Sequence, residues 1–380
     1  MINNLNRKIF LVLDDGEVFE GAGYSGQDIF PDKAGEVVFN TTHSGYEEIA
    51  TDPSYFNQII VMTAPMQGNY GSTITDWESS KIWINGFVCL QLQNSKRDST
   101  WADVLTHNQI PILTEIDTRK LTQKLRNQGT PWGALVEAED SVLAIAKAKK
   151  LIAEAKIVQN DWVYLASRKQ PEVRKGKMAS GPKVAVLDFG SKENILRELE
   201  ARCSEIKIFP SRTPADTIQA YQPDALMLTN GPGDPSAVEV APQTVKYFLE
   251  KIPVFGICMG HQVLGLALGA KTYKLKFGHR GANHPIKDLL LNKIYMSSQN
   301  HGYAVDEKTL PSDVKVTHIN LNDQTVAGFY SEKMNCLGIQ YHPESHPGPH
   351  DAVLLFDYFI NVMNSKKNKN GNKNAESINA

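Results

Sequence analysis

The sequence predicts an α/β domain with a doubly wound, mostly parallel sheet in the second half of the chain, preceded by a β-rich α+β domain. From residue 184 onward, apolar strand-like runs alternate with amphipathic helical segments, which is typical of βαβ units and a parallel sheet. In roughly the first 135 residues, strand-like runs predominate and helical patterns are scarce. A Gly-x-Cys-x-Gly sequence between a predicted strand and a predicted helix indicates where the second domain carries its chemistry.

Composition narrows the class of protein. The chain has 380 residues, 41% of them hydrophobic, and a formal net charge of −2. This length suggests two domains or more, and the balanced charge argues against nucleic acid or a membrane surface as the main partner. The four cysteines lie far apart without a Cys-x-x-Cys pair, and we find neither a signal-peptide pattern nor a bilayer-spanning apolar run. We therefore expect a cytoplasmic protein with no membrane association.

The first domain is predicted to cover residues 1–139. A β-hairpin is expected at its start, because strand-like runs at Ile9–Leu13 and Glu17–Phe19 flank an Asp-Gly turn. Further strands are predicted at Glu36–Asn40, Ile59–Thr63 and Ile82–Leu92, and a helix is predicted at Thr118–Arg126.

Residues 140–182 are predicted to connect the two domains. Asp140–Lys156 is rich in alanine and lysine, has apolar residues at helical spacing and begins with a capping residue, so it predicts a helix. Arg168–Lys183 is basic and contains proline and glycine, so we expect a linker there.

The second domain is predicted to cover residues 183–364. Strands are expected at Val184–Phe189, Ile206–Phe209, Ala225–Thr229 and Val254–Ile257. Helices are expected between them, at Glu193–Glu200, Pro214–Tyr221 and Val240–Lys251. Mostly short strands are expected between Tyr273 and Tyr341, followed by a closing helix at Asp351–Asn364. The Asn/Lys/Gly-rich residues 365–380 are expected to be disordered.

Cys258 is the predicted nucleophile. It lies between Gly256 and Gly260, where the predicted strand meets a helical segment at Val263–Leu268. The glycines remove side chains from a sharp turn, and the N-terminus of a helix favours a thiolate and an oxyanion. A lone cysteine is more often a buried structural residue, but the flanking glycines and the strand–helix position favour a catalytic one.

His342 and Glu344 are the predicted base and its orienting carboxylate. They follow a strand predicted at Leu337–Tyr341, and residues two apart in extended backbone face the same side, so that the two side chains can meet. Pro343 stiffens the link between them. The sequence His-Pro-Glu alone is a weak signal, but together with Cys258 it indicates a Cys-His-Glu triad.

Three other glycine-containing segments are candidates for binding loops. Asn230–Pro235 follows a predicted parallel strand, where its backbone N–H groups are suited to an oxyanion hole, although such runs are often plain turns. Gly21–Gly26 fits a dinucleotide pattern, but no helix follows it, and Gly265–Thr272 lies at the wrong end of a helix for phosphate. We expect no nucleotide site on this chain. We also expect no metal, because His279, His284 and His301 lack ligand spacing.

The motifs together resemble a known family. Phe255–Gln262, Asn230–Pro235 and His342–Glu344 resemble a class I, triad-type glutamine amidotransferase domain. Further motifs resemble the small, glutamine-hydrolysing subunit of carbamoyl-phosphate synthetase, and they are Thr51–Tyr55, Gly68–Gly71, Ile116–Arg119, Lys276–His279, Asn283–Pro285 and Gln299–Gly302. The resemblance extends from about residue 8 to residue 364.

The resemblance implies roles for individual residues. Cys258 would attack the side-chain amide of L-glutamine to form a γ-glutamyl thioester, His342 would transfer the proton, and Glu344 would hold the imidazole. The backbone N–H groups of Met259 and Gly233 would bind the oxyanion. The residues implied to surround the glutamine are Ser54, Gly231, Gly233, Met259, Gln262, Asn300, Gly302 and Tyr303. Because Ser54 comes from the first domain, we expect the pocket at the domain interface.

The resemblance also implies a partner. Ammonia would pass through a channel to a large subunit that uses ATP, Mg and bicarbonate to make carbamoyl phosphate for arginine and pyrimidine biosynthesis, with no cofactor on this chain. The first domain would help to dock that partner, in a heterodimer or a higher assembly of heterodimers. Met259, Tyr303 and Arg280 differ from the residues more familiar in the family, but no triad member is replaced.

Three alternatives remain at this stage. An amidotransferase of another pathway, such as GMP or anthranilate synthesis, lacks a matching β-rich first domain. A cysteine protease or a γ-glutamyl hydrolase also leaves the first domain unexplained. A binding or regulatory protein on the same fold would not be labelled at Cys258 by a glutamine-mimicking electrophile.

Overall fold

The computed structural model describes residues 7–157 and 161–363. They fall into two compact units, and each unit is discontinuous in sequence. The described residues of the first unit lie within Met1–Asn160, Leu275–Asn283 and His346–Gly348, and those of the second lie within Asp161–Lys274, His284–Ser345 and Pro349–Ala380. The tail predicted to be disordered, 365–380, lies outside the described residues.

The first unit is built on a closed barrel. Strands in its N-terminal part are Lys8–Leu13 (β1), Val18–Gly23 (β2), Lys33–Asn40 (β3), Gln58–Met62 (β4), Met66–Gln67 (β5), Gly86–Val88 (β6), Gln91–Leu92 (β7), Ile112–Thr114 (β8) and Trp132–Glu137 (β9). Helices are Tyr46–Thr51 (α1), Trp101–His107 (α2), Thr118–Gln128 (α3) and Ser141–Ile157 (α4). The barrel closes in the order β1-β2-β8-β6-β4-β3-β9, while β5 and β7 pair separately.

Strand β1 shows why this barrel needs a helix beside it. Ile9 and Leu11 belong to one apolar cluster together with residues of other barrel strands and α3. Phe10 and Val12 belong to a different cluster that includes Ala144 of α4. Because both faces of the strand are buried, its sequence is a continuous apolar run and not an alternating one.

The second unit is an α/β structure. Its helices are Trp162–Ala166 (α5), Glu193–Arg202 (α6), Ala215–Ala220 (α7), Ala241–Phe248 (α8), Met259–Ala267 (α9) and 354–363 (α10). Its strands are Glu172–Lys175 (β10), Lys183–Asp188 (β11), Glu205–Pro210 (β12), Ala225–Leu228 (β13), Val254–Ile257 (β14), Thr272–Asp288 (β15), Lys293–Val305 (β16), Lys315–Asn320 (β17), Val326–Ser331 (β18) and Cys336–Ile339 (β19). The middle of β15 belongs to the first unit.

These strands form a ten-stranded sheet in the order β10-β12-β11-β13-β14-β19-β18-β17-β15-β16. The central pairs, from β12 to β19, are parallel. Alternate residues of β11 enter two different cores: Ala185 lies in the core that contains α8 and α9, and Val184 in the core that contains α6 and α10. Helices therefore cover both faces of a parallel centre, as expected for a doubly wound sheet.

Several elements differ from the sequence-based expectations. The segment predicted as a linker contains β10, which pairs antiparallel with β12 and adds a strand to the sheet. The single strand predicted over Ile82–Leu92 is two strands, because β6 lies in the barrel and β7 pairs with β5. Residues 273–341 were expected to form mostly short strands, but β15 has 17 residues, since it contributes to both units.

Within the described part of the chain, no helix is both long and apolar enough to cross a membrane.

Candidate active site

Cys258 lies in a sharp turn between β14 and α9. Its backbone angles, φ 55° and ψ −105°, are ones that a residue with a side chain rarely adopts. Its N–H donates to the carbonyl of Ile339 at 2.8 Å, and its carbonyl accepts from the N–H of Gln262 at 3.1 Å. The turn thus joins the neighbouring strand on one side to the first turn of the helix on the other, which holds the strained conformation in place.

The two glycines around Cys258 are required by close backbone contacts. A Cβ atom at Gly256 would lie 2.5 Å from the carbonyl oxygen of Gly260, and one at Gly260 would lie 2.3 Å from that of Leu228. Neither backbone atom can move without distorting β13 or α9. The structure therefore confirms the tight strand–helix turn that the Gly-x-Cys-x-Gly pattern predicts.

His342 and Glu344 meet directly. Nδ1 of His342 lies 2.6 Å from Oε1 of Glu344, and both side chains are buried. The expectation that extended backbone brings them together was wrong, because β19 ends at Ile339. Residues 342–344 form a turn, in which the N–H of Ser345 donates to the His342 carbonyl at 3.2 Å. The turn brings the side chains together as extended backbone would.

A lysine that the sequence reasoning missed completes this charge cluster. Nζ of Lys192 lies 3.1 Å from Oε1 of Glu344, and the lysine side chain is only 2% exposed. Asn194 donates its Nδ2 to the Glu344 carbonyl at 2.5 Å. Both residues follow β11 at the carboxyl end of the parallel sheet. Ligands of open α/β sheets bind at that edge, so the position of Lys192 and Asn194 after a predicted parallel strand was the sequence signal that could have identified them.

The cluster shifts the pKa values of His342 and Glu344. Burial alone lowers the pKa of His342, but the charges of Glu344 and Cys258, with the hydrogen bonds to them, raise it to about 10. Burial raises the pKa of Glu344, while Lys192 and His342 lower it to about 2. The carboxylate therefore makes the imidazole of His342 a stronger base than it is in water, and stabilises its protonated form.

The thiol of Cys258 lies at the same site. It is 2% exposed, and its Sγ donates to the carbonyl oxygen of Asn300 at 3.5 Å. It is also close enough to His342 to raise the pKa of that imidazole. His342 is anchored beside it, since its N–H donates to the carbonyl of Ser298, two residues before Asn300, at 2.9 Å.

Other predicted glutamine contacts surround these groups in the second unit. Nε2 of Gln262 donates to the carbonyl of Tyr303 at 2.8 Å and to Oε1 of Gln340 at 3.1 Å, which joins α9 to β16. Gly302 lies in β16 next to Tyr303.

The loop after β13 contains the two predicted glycines. A Cβ at Gly231 would lie 2.3 Å from the Phe189 carbonyl, and Gly233 has a φ of 87°. Met259 is the first residue of α9, where a helix has N–H groups without intrahelical partners. Two potential oxyanion donors thus follow the neighbouring strands β13 and β14 at the carboxyl end of the sheet.

Ser54 lies in the first unit. It is buried in a single turn of 3₁₀ helix, Pro53–Tyr55, and its N–H donates to Oδ1 of Asp52 at 2.8 Å. The remaining residues predicted to contact glutamine all belong to the second unit.

The histidines weighed as metal ligands have other surroundings. Nε2 of His301 lies 3.0 Å from Oε1 of Gln299, and Nδ1 of His284 lies 3.2 Å from Nδ2 of Asn322. Among the described residues, no cluster of three or more His, Cys, Asp or Glu side chains is arranged to hold a metal ion.

The comparisons with known proteins identify the family of the chain. A family model described as glutamine amidotransferase class-I matches residues 185–362, so the second half carries a domain of that class and the chain is a glutamine amidotransferase. A model described as carbamoyl-phosphate synthase small chain, CPSase domain, matches residues 11–135. With the relatives that match nearly its full length, these findings show that the chain belongs to the carbamoyl phosphate synthase small chain family.

Relatives with that description come from distant organisms. The carbamoyl phosphate synthase small chain of Staphylococcus haemolyticus is 42% identical over 96% of this chain and 99% of its own. That of Vibrio vulnificus is 43% identical over 94% of this chain and 99% of its own. The chloroplastic small chain of Oryza sativa is 42% identical over 94% of this chain and 82% of its own.

Proposed function

We propose that Cys258, His342 and Glu344 act as a catalytic triad that hydrolyses L-glutamine to glutamate and ammonia. The observation that carries this proposal is the 2.6 Å contact between Nδ1 of His342 and Oε1 of Glu344, beside a cysteine in a strained strand–helix turn. A positioned nucleophile, a base and a carboxylate that orients the base are the elements that acyl transfer requires.

The reaction proceeds in two halves. The thiol turns from Asn300 towards Nε2 of His342, gives up its proton, and its sulfur attacks the side-chain amide carbon of glutamine. The tetrahedral intermediate collapses as His342 protonates the leaving nitrogen, which releases ammonia and leaves a γ-glutamyl thioester on Cys258. Water, deprotonated by His342, then attacks the thioester carbon, and glutamate departs as the thiol regains its proton.

The negative oxygen of each tetrahedral intermediate needs hydrogen-bond donors. We assign this role to the N–H groups of Met259 and Gly233, and one such donor is typically worth about 3 kcal/mol of transition-state stabilisation. The glutamine itself is assigned to the residues that the family resemblance implies, which are Ser54, Gly231, Gly233, Met259, Gln262, Asn300, Gly302 and Tyr303.

The partner in this proposal is the large subunit of carbamoyl phosphate synthase. It receives ammonia through a protein channel and supplies the sites for ATP, Mg and bicarbonate, in a heterodimer or a higher assembly of heterodimers. A reducing cytoplasm suits the four cysteines, which are all unpaired.

Cys258→Ser in the complex with the large subunit tests the proposal. Synthesis of carbamoyl phosphate from glutamine should be abolished and synthesis from ammonia retained, because the substitution removes the nucleophile and leaves the partner unchanged. Cys203→Ser, at another buried cysteine, is the matched control. If Cys258→Ser used glutamine at the normal rate, the assignment of the nucleophile would be wrong.

A further inference from the structure

The loop that follows the triad is strained. Ser345 and His346, the two residues after Glu344, have φ angles of 62° and 52°. This left-handed region is unfavourable for residues with a side chain, and two such residues in succession persist only when the surrounding structure holds them. The backbone that carries Glu344 therefore depends on whatever fixes this loop.

The first of these residues is held within the second unit. Lys192 donates its Nζ to the carbonyl oxygen of Ser345, and the hydroxyl of Ser345 donates to the carbonyl of Pro349. Between them, residues His346–Gly348 leave the second unit and belong to the first. The strained loop is thus anchored separately at its two ends.

His346 is held by an acidic side chain of the first unit. Its Nδ1 lies 3.6 Å from Oε1 of Glu78, whose side chain is fully buried, whereas that of His346 is 36% exposed. The N–H of Glu78 donates to the hydroxyl of Thr51 at 2.9 Å, which fixes the backbone of the acidic residue.

The next residue, Pro347, is seated against Gly45. A Cβ at Gly45 would lie 2.2 Å from Cβ of Pro347, so this contact tolerates no side chain. The contact with the Glu78 carboxylate and the seating of the Pro347 ring against Gly45 therefore hold the same short segment, two to three residues beyond Glu344. A buried carboxylate is costly to leave without polar contacts, which favours keeping the imidazole of His346 beside Glu78.

We propose that His346 is a positioning residue for glutamine hydrolysis, whose contact with the Glu78 carboxylate holds the strained loop and thereby keeps the Glu344 carboxylate on His342. The inference rests on the proposed triad. The proposed role of His346 differs from a purely structural one, because releasing the loop misplaces a group that must be aligned in the transition state. Small misplacements of this kind can cost up to about 100-fold in rate.

The test uses His346→Gln in the complex with the large subunit. We expect kcat for glutamine-dependent synthesis to fall about tenfold, with KM for glutamine changed less than about twofold, and ammonia-dependent synthesis unchanged. Alkylation of Cys258 by a glutamine-mimicking chloroketone should slow by a similar factor. His346→Lys, which places an ammonium donor opposite the Glu78 carboxylate, should restore most of the rate.

Two further variants make the result decisive. Glu78→Gln should reproduce the loss, and adding it to His346→Gln should cost little more, because one pair is removed in both cases. His107→Gln, at an exposed histidine of the same unit, is the control. A normal kcat in His346→Gln, whatever its thermal stability, would overturn the inference, and so would the same loss with ammonia as substrate. Failure of the triad itself is detected separately, by a Cys258→Ser complex that still uses glutamine.

Discussion

At the scale of single residues, the chemistry depends on charges kept in a buried place. Glu344 is fully buried, yet Lys192 and His342 hold its pKa at about 2. That carboxylate in turn raises the pKa of His342 to about 10, which makes the imidazole a stronger base for the thiol proton. In the proposed mechanism, the imidazolium that forms then stabilises the negative charge on the sulfur of Cys258.

The titration of His342 gives a prediction at this scale. Replacing Glu344 by Gln removes the largest influence that raises the pKa of His342, so we expect that pKa to fall well below about 10. Histidine NMR over a pH series measures it directly, and Glu332→Gln, at an exposed acidic residue, should leave it unchanged. If His342 titrated alike in Glu344→Gln and the unmodified chain, the pair would not control its charge.

The same shift has a consequence for folding. The pKa of His342 is raised in the folded chain, so its contribution to stability is full below the unfolded value of about 6.5 and is lost as pH rises through about 10. In Glu344→Gln this pH-dependent loss should be smaller. Unfolding by urea at several pH values between about 6.5 and 10 compares the two chains.

At the scale of elements, the turn between β14 and α9 determines where Cys258, the proposed nucleophile, lies. Strand, Cys258 and helix follow one another without a connecting loop, since β14 ends at Ile257 and α9 begins at Met259. Such a turn is possible because Gly256 and Gly260 allow backbone atoms to approach where a Cβ would collide.

Gly260→Ala tests this element. Alanine favours a helix over glycine by about 1 kcal/mol, but here its Cβ would lie 2.3 Å from the Leu228 carbonyl. We therefore expect a net loss of about 1–3 kcal/mol in unfolding free energy and a loss of Cys258 labelling.

Gly269→Ala, just beyond the other end of α9, is the matched control. Its φ is 93° and a Cβ there meets nothing within 4 Å, so we expect a cost of about 1 kcal/mol, with labelling retained. Equal labelling in the two variants would show that the glycine beside the nucleophile is not needed for the turn.

At the scale of the whole molecule, the first unit is completed by segments from the second half of the chain. The N–H of Thr41 donates to the Arg280 carbonyl at 3.2 Å, and its hydroxyl to Oδ1 of Asn283 at 2.8 Å. The rings of Phe39 and Phe277 pack with their centroids 5.8 Å apart. Residues 275–283 and 346–348 therefore group with the N-terminal part of the chain and not with the residues that flank them in sequence.

A divided chain tests this dependence. Residues 161–380 expressed alone should lack glutamine hydrolysis and Cys258 labelling, because two of their segments lose their partners. Co-expression with residues 1–157 should give a co-purifying pair with labelling restored. A mutant of the first fragment with Gly45→Leu, which places a side chain against Pro347, serves as the control for specific pairing. Full labelling of the 161–380 fragment by itself would contradict the expectation.

Local sequence patterns suffice to predict the elements whose residues lie close together along the chain. The alternation of strands and helices from β11 to α9, the turn at Cys258 and the His342–Glu344 pair all depend on local spacing, which a pattern records directly. Only the three-dimensional arrangement shows that Lys192 meets Glu344 across 152 positions in sequence (344 − 192), that β10 joins the sheet, and that the middle of β15 and residues 346–348 belong to the first unit. Those outcomes depend on which distant surfaces become neighbours, and local sequence spacing does not encode that choice.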